Sequence, residues 1–420
     1  MIDRLFRSFV RFFEPIRSHP QIGTMLLIVG LVMSGNAIVA PVLSLYADSF
    51  ASSSTLVGMV ITVFGVARLF VNYPSGALSQ RIGRRPLLLW GLVVIVIGSV
   101  GAALAGSIES LLAWRFVQGL GSGIYMSVSY AAMADMTEDD TRGRVMALQQ
   151  ASMWFGIGVG PILGGFLAEY FGLPAPFWAY GAVCAAAALL VWLQLGETRE
   201  EAYRSASGRG DEARASPQAA AGTPVQLRRN AIFLLMCAIS FGLFFTRTAS
   251  QWLLIPLLAH TRYGMSVDII GLALAVLAVG TFVMLPMTGN LIDRYGAQPV
   301  IVGSLVMTAG ALALIALGMT ATMFWIGMFL LGVGLGVSNP AVSAYSIAVV
   351  PKPAYGPAMG MLRTWGDVGF VLGPFAVGLL DDFGDVGAMG GIFASAALLL
   401  LLILPFSLKA VRGNGSRDQA

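Results

Sequence analysis

The chain has 420 residues, of which 57% are hydrophobic and only 11% charged, with a mean hydropathy of +0.80. Too few charges are present to clothe a soluble globule of that length, so the chain is expected to live in a bilayer. The net charge of +4 is spread without the basic clustering that nucleic-acid binding needs. Two histidines and two cysteines leave zinc sites and Ser-His chemistry without their parts, so no metal, cofactor or enzymatic activity is expected.

In chain order, residues 2–14 set Ile2, Leu5, Phe6, Phe9, Phe12 and Phe13 opposite Arg4, Arg7 and Arg11. An amphipathic leader over 1–21, lying along the inner membrane surface, is one reading, and an ordinary cytoplasmic leader the other. Apolar runs long enough to cross the hydrocarbon core then fall at 22–46, 56–75, 86–106, 111–133, 143–168 and 174–195, and again at 230–258, 268–288, 298–317, 321–348, 356–380 and 386–408. Six precede and six follow a polar stretch, 196–229, whose mixed charges with Ser, Gly, Ala and Pro read as a linker. A tail over 409–420 follows the last span.

Two halves, 22–195 and 230–408, are also legible as a duplication. GALSQRIGRRP from Gly76 returns altered as GNLIDRYGAQP from Gly289, 213 residues on. At the same offset Gly119, Gly121 and Gly123 fall opposite Gly332, Gly334 and Gly336, and Gly160-Pro161 opposite Gly373-Pro374. One constant spacing for four landmarks signals an internal repeat. Arginine and lysine concentrate in the termini, the linker and alternate loops, the opposite loops showing only Arg262, so the positive-inside rule places both termini in the cytoplasm.

The first span carries Asn36 and the second Arg68, either a functional group or one that snorkels to the inner interface. At Gly76, Leu78, Arg81, Gly83, Arg84 and Arg85 the loop after the second span resembles the hallmark of the major facilitator superfamily, with Gln80 where that pattern has an acid. The later copy keeps Gly289, Leu291, Asp293, Arg294 and Gly296 but loses the trailing basic pair. The resemblance implies an all-helical membrane protein of twelve spans in two pseudo-symmetric six-helix bundles. It also implies a cytoplasmic latch in which such an acid caps a helix of the other half, so Asp293 is expected to carry the charged version. Plain positive-inside anchoring is the other reading of Arg84 and Arg85.

The fourth span opens on Arg115, with Gln118 and Tyr125 following, and resembles the Arg-x-x-x-Gly motif of proton-coupled members. Its C-half counterpart is Met328, so the charge belongs to one half. Asp135 at the inner end is placed either to pair with Arg81 or to stand solvated. In the fifth span Gly156, Gly160, Pro161, Gly164 and Gly165 resemble the motif of the 12-span drug and proton antiporters, and glycines four apart give a smooth packing face. Gly196-Glu197-Thr198 suggests no chemistry. In this superfamily spans 1, 4, 7 and 10 line a central cavity, so the resemblance places Asn36, Arg115, Gln118, Tyr125, Arg247, Gln251, Trp252 and Asn339 at or near it, Arg68 joining them as a further basic group. For any single Trp or Tyr, packing or interface anchoring competes with that role.

Asp367, four residues after Arg363 in the eleventh span, is the acid placed deepest in a span. It is either a proton carrier or half of a permanent ion pair. The combined expectation is a monomeric secondary transporter of the bacterial inner membrane that exports a small organic molecule in exchange for protons. Import or facilitated passage of a small organic anion is the alternative, and a non-transporting receptor a more distant one.

Overall fold

The computed structural model describes residues 20–50, 53–137, 142–197, 230–318, 320–350, 355–384 and 387–406. The leader through residue 19, linker residues 198–229 and residues from 407 onward lie outside the described residues. Among the described residues every regular element is helical. The helices are α1 Pro20–Ile38, α2 Leu43–Asp48, α3 Ser54–Ile82, α4 Arg84–Ala103, α5 Ile108–Asp135, α6 Arg142–Phe171 and α7 Ala175–Gln194. After the linker come α8 Ala231–Thr248, a π-helical segment Ala249–Leu254, α9 Ile255–Thr261, α10 Val267–Tyr295, α11 Ala297–Leu317, α12 Ala321–Ala348, α13 Tyr355–Gly384 and α14 Gly387–Leu401.

Ten helical stretches are long and apolar enough to cross a membrane. The other two expected spans correspond to α5 and α13, of 28 and 30 residues, whose Arg115, Gln118, Arg363 and Asp367 make them more polar. Helix starts follow side-chain chemistry. Ser107 accepts from the Ser110 N–H (3.3 Å), Thr320 from the Met323 N–H (3.3 Å), and Asn230 from both Ile232 and Phe233 (3.1 Å each), satisfying amides that the first turn leaves unpaired.

Two expected spans are interrupted, each at a proline. The first ends at Ile38 and resumes as α2 beyond Pro41, which has no N–H to continue the ladder. The seventh runs through the π segment, where the Ile255 N–H bonds to Ser250 O, five residues back, just before Pro256. A proline ring clashes with the carbonyl four residues earlier, and a π turn relieves that clash.

The chain forms two compact units, Met1–Val42 with Val63–Ala215, and Leu43–Thr62 with Ser216–Ala420. Each is closed by glycines that let helix backbones touch. In the first unit a Cβ on Gly119 would lie 2.4 Å from Phe64 O, and one on Gly123 3.1 Å from Arg68 O. In the second unit the counterparts Gly332 and Gly336 meet Leu277 O and Thr281 O at 2.0 and 2.7 Å. Both partners shift by the same 213 residues, so the repeat in sequence is a repeat in packing.

The antiporter-like glycines behave likewise. Cβ atoms on Gly156, Gly160 and Gly164 would lie 2.4 Å from Gly30 O, 2.6 Å from Ser34 O and 1.8 Å from Ile38 O, which seats α6 directly on α1. Gly165 is buried beside them, and Pro161 lies within α6. Gly369 and Gly373 seat α13 on Phe241 O and Phe245 O of α8 in the same way, at 2.2 and 2.5 Å. Gly83 and Gly296, the fixed glycines of the repeated loop, are each the single residue between two helices, with φ of +109° and +83°. Only glycine takes up that conformation without strain.

Candidate functional site

Within the first unit, α3, α4 and α5 bring a polar chain into an apolar interior. Arg115 is fully buried on α5 and donates to Gln118 Oε1 one turn on. Gln118, also fully buried, donates through Nε2 to Ser99 Oγ of α4 (2.7 Å). The Arg115 guanidinium lies 4.3 Å from the centroid of the Phe64 ring, and that of half-buried Arg68 lies 6.0 Å from the same ring. Stacking on an aromatic face is how a guanidinium tolerates a dry setting. Gly35, next to Asn36, faces the ring of Tyr180, where a Cβ would come within 2.5 Å of Cδ2. Asn36 Oδ1 and the Tyr180 hydroxyl are buried without a hydrogen-bond partner, and the Tyr125 hydroxyl is buried beside Ser129. The apolar spans of this half, as read from the sequence, contain no Asp or Glu.

The second unit holds a parallel feature. Arg247, half-buried at the end of α8, donates through Nε to Gln251 Oε1 (3.3 Å) inside the π segment. Ser250 Oγ beside it is buried without a hydrogen-bond partner, and Trp252 is half-buried. Each unit thus carries an arginine bound to a glutamine one turn further on. Asn339 is half-buried, and its amide donates to Leu335 O of its own helix (3.4 Å). On α13, Asp367 is half-buried and Arg363, one turn before it, is exposed.

The loop motif is engaged more fully than the sequence suggested, and with a different partner. Asp135 Oδ2 accepts from Arg84 Nε at 2.8 Å, in place of the pairing with Arg81 that the sequence suggests. Arg84 also donates to Ser79 Oγ, and Arg85 donates to Trp192 O (2.6 Å). The carboxylate of Glu197 caps the start of α4, accepting from the Arg84 N–H (2.8 Å) and the Arg85 N–H (3.2 Å). Glu197 had suggested no chemistry. The available signal was a carboxylate just past an apolar span together with a helix start, at Arg84, that supplies no capping side chain of its own. Gln80 and Arg81 are exposed, as are Gly289, Asp293, Arg294 and Gly296 of the second copy, while Gly76 is half-buried with open space around it. Cys184 and Cys237 are buried free thiols.

The arrangement is that of packed helices holding isolated polar groups in a membrane interior. The sequence model described as Major Facilitator Superfamily matches residues 25–266 and 239–419. The chain is 33% identical over 168 residues to the inner membrane transport protein YajR of Escherichia coli, a match covering 40% of this chain and 37% of that protein. It is 27% identical over 356 residues to a multi-drug resistance efflux pump PmrA homolog of Lactococcus lactis, covering 82% of this chain and 84% of that one. Among solved structures it is similar to the human organic anion transporter MFSD10 (TETRAN), with a TM-score of 0.64 at 20% identity over 92% of this chain and 99% of that one. With a family match across both halves, repeated helix contacts at one offset and spans enough for a multi-pass membrane protein, the chain belongs to the Major Facilitator Superfamily of transporters.

Proposed function

We propose that the protein is a secondary active transporter that exports a small organic molecule in exchange for protons. It would act as a monomer in a bacterial inner membrane with both termini in the cytoplasm, by alternating access of its two halves. The observation that carries export is the α6 seam on α1, because Gly156, Gly160, Pro161 and Gly164 match the antiporter-like pattern and each of the three glycines meets α1 backbone or its Ala37 side chain. The likeness to a multi-drug resistance efflux pump supports the same direction. Purified protein in vesicles preloaded with an acid interior tests it. A panel of fluorescent organic compounds should include one that drains the pH gradient as it accumulates inside. A panel in which compounds move only with protons, in the same direction, would instead identify an importer.

The proton is assigned to Asp367, half-buried on α13, with exposed Arg363 one turn away. Asp367→Asn is expected to abolish gradient-driven accumulation while leaving substrate exchange at zero gradient within about twofold, since only the proton-binding group is lost. Undiminished driven transport by the Asn variant would remove Asp367 from the coupling mechanism.

A second reading, passage of a small organic anion, is favoured by Arg68, Arg115 and Arg247 in the second, fourth and seventh spans, set against Asp367 of the eleventh, the acid placed deepest in a span. The likeness to a protein named as an organic anion transporter points the same way. Arg247 is half-buried and so within reach of a ligand. Arg247→Gln should then raise KM for an anionic substrate about tenfold to a hundredfold, the worth of a charge-assisted hydrogen bond, with kcat little changed. An unaltered KM would set the anion reading aside.

A further inference from the structure

Within the second compact unit, the first nine residues of α3 run antiparallel to the last turns of α13 along a seam with four successive contacts. At its end, Asp382 of α13 accepts from two backbone amides of α3 at once, Oδ1 from the Ser54 N–H and Oδ2 from the Thr55 N–H, both 2.9 Å. The neighbouring Asp381 accepts from Ser54 Oγ through Oδ2 and from the Gly387 N–H through Oδ1 (2.6 Å). One turn along, a Cβ on Gly378 would come within 2.4 Å of Ser54 O. A turn further, a Cβ on Gly58 would lie 2.3 Å from Pro374 O. The fourth contact is Thr62 Oγ1 donating to Val371 O (2.8 Å). Residues 54, 58 and 62 recur every fourth position and so share one helix face.

The position of this seam in the chain gives it meaning. α3 is one unbroken helix from Ser54 to Ile82, yet residues 54–62 cluster with the second unit and residues 63–82 with the first. Its Ser54 end is the one that the distribution of arginines assigns to the outer face. A carboxylate across two amides at a helix N-terminus is a charge-assisted cap supported by the helix dipole. Hydrogen bonds from Thr55, foremost its side chain, and from Ser54 hold Asp382 below the ordinary carboxylate range, so it is ionised at neutral pH.

We propose that Asp382, supported by Asp381, is the clasp of an outer latch, a positioning residue that holds the Ser54 end of α3 on α13 and must release for the outer side to open. The proposal rests on the alternating-access reading above. The glycine contacts at Gly58 and Gly378 supply close fit, whereas the clasp supplies the charge-assisted hydrogen bonds that a single substitution can remove. Without it the closed seam loses stability relative to the open one, while helices elsewhere keep their contacts.

The test uses the full-length protein with Thr62→Cys as reporter, since Thr62 lies at the inner end of the seam. Two natural controls are already present, the buried thiols Cys184 and Cys237. Alkylation by a membrane-impermeant maleimide is followed by mass spectrometry with no substrate added. Asp382→Ala is expected to speed alkylation of the Thr62→Cys thiol about tenfold, the effect of losing a strong helix cap, with Cys184 and Cys237 as slow as before. Asp382→Asn, which keeps the volume and one acceptor oxygen, should give a smaller increase, and it serves if the Ala variant does not fold. An unchanged rate at Thr62→Cys, or a rise shared equally by Cys184 and Cys237, overturns the proposal, because the second pattern is general loosening. Proton-coupled export is measured separately by gradient collapse, so failure of that reading leaves the labelling result unaffected and the two are told apart.

Discussion

Gly164→Ala is expected to cost the protein about 1–3 kcal/mol or more of stability, the range for overpacking a close contact, and to lower the yield of monodisperse protein severalfold. The added methyl carbon would sit 1.8 Å from the carbonyl oxygen of Ile38. That atom is backbone at the last residue of α1, so no rotamer change relieves the clash and α6 must lift from α1. Gly156 and Gly160 share the seam, so the displacement spreads along it. Gly289→Ala is the matched control, because nothing lies within 4 Å of the Cβ it would add. In an exposed helix interior that change should be neutral or stabilise by about 0.5–1 kcal/mol through reduced backbone entropy. Thermal unfolding in detergent, followed by size-exclusion profile, compares the two variants. Equal behaviour would mean that α6 and α1 are not in close backbone contact.

Arg115→Gln is expected to reduce transport about tenfold to a hundredfold, the worth of a charge-assisted hydrogen bond, while the variant still inserts and folds. Arg115 links three helices: its guanidinium rests on Phe64 of α3, and its bond to Gln118 of α5 continues to Ser99 of α4. Removing it leaves the Gln118 carbonyl oxygen without its donor in a dry setting, where an unmet acceptor costs about 1–3 kcal/mol. Arg115→Lys should recover part of the rate, keeping the charge but losing the flat fork that stacks on Phe64. Initial rates in vesicles, normalised to folded protein, provide the measure. A lysine variant as fast as the parent would show that charge alone suffices and that stacking on Phe64 is dispensable.

The helical spans and the duplication were legible because both are carried by composition and spacing. Apolar runs of membrane-spanning length have few alternatives to a helix when the surroundings offer no hydrogen bonds to the backbone. Glycines at a fixed 213-residue offset mark helix contacts wherever backbones must touch, and the packing of Gly119 and Gly332 on Phe64 and Leu277 repeats that offset. Gly83 and Gly296 were likewise legible as fixed points, although only the backbone revealed a positive φ at each.

What the sequence by itself determined is therefore the class of molecule, its repeat and its family resemblance. Tertiary structure alone decided partnership. The sequence pointed to Arg81 as the partner of Asp135, whereas the structure pairs it with Arg84, a choice that depends on how α4 leaves Gly83. Glu197 suggests no chemistry in the sequence, and Asp382 carries no signal there, because a cap that reaches a helix distant in the chain has no local spacing to betray it. Pro41 and Pro256 were visible as residues, but whether a proline bends, breaks or shifts a helix into a π turn depends on what its neighbours can do with the freed carbonyls. Local chemistry sets which elements form, and contacts distant in sequence set which of their polar groups meet.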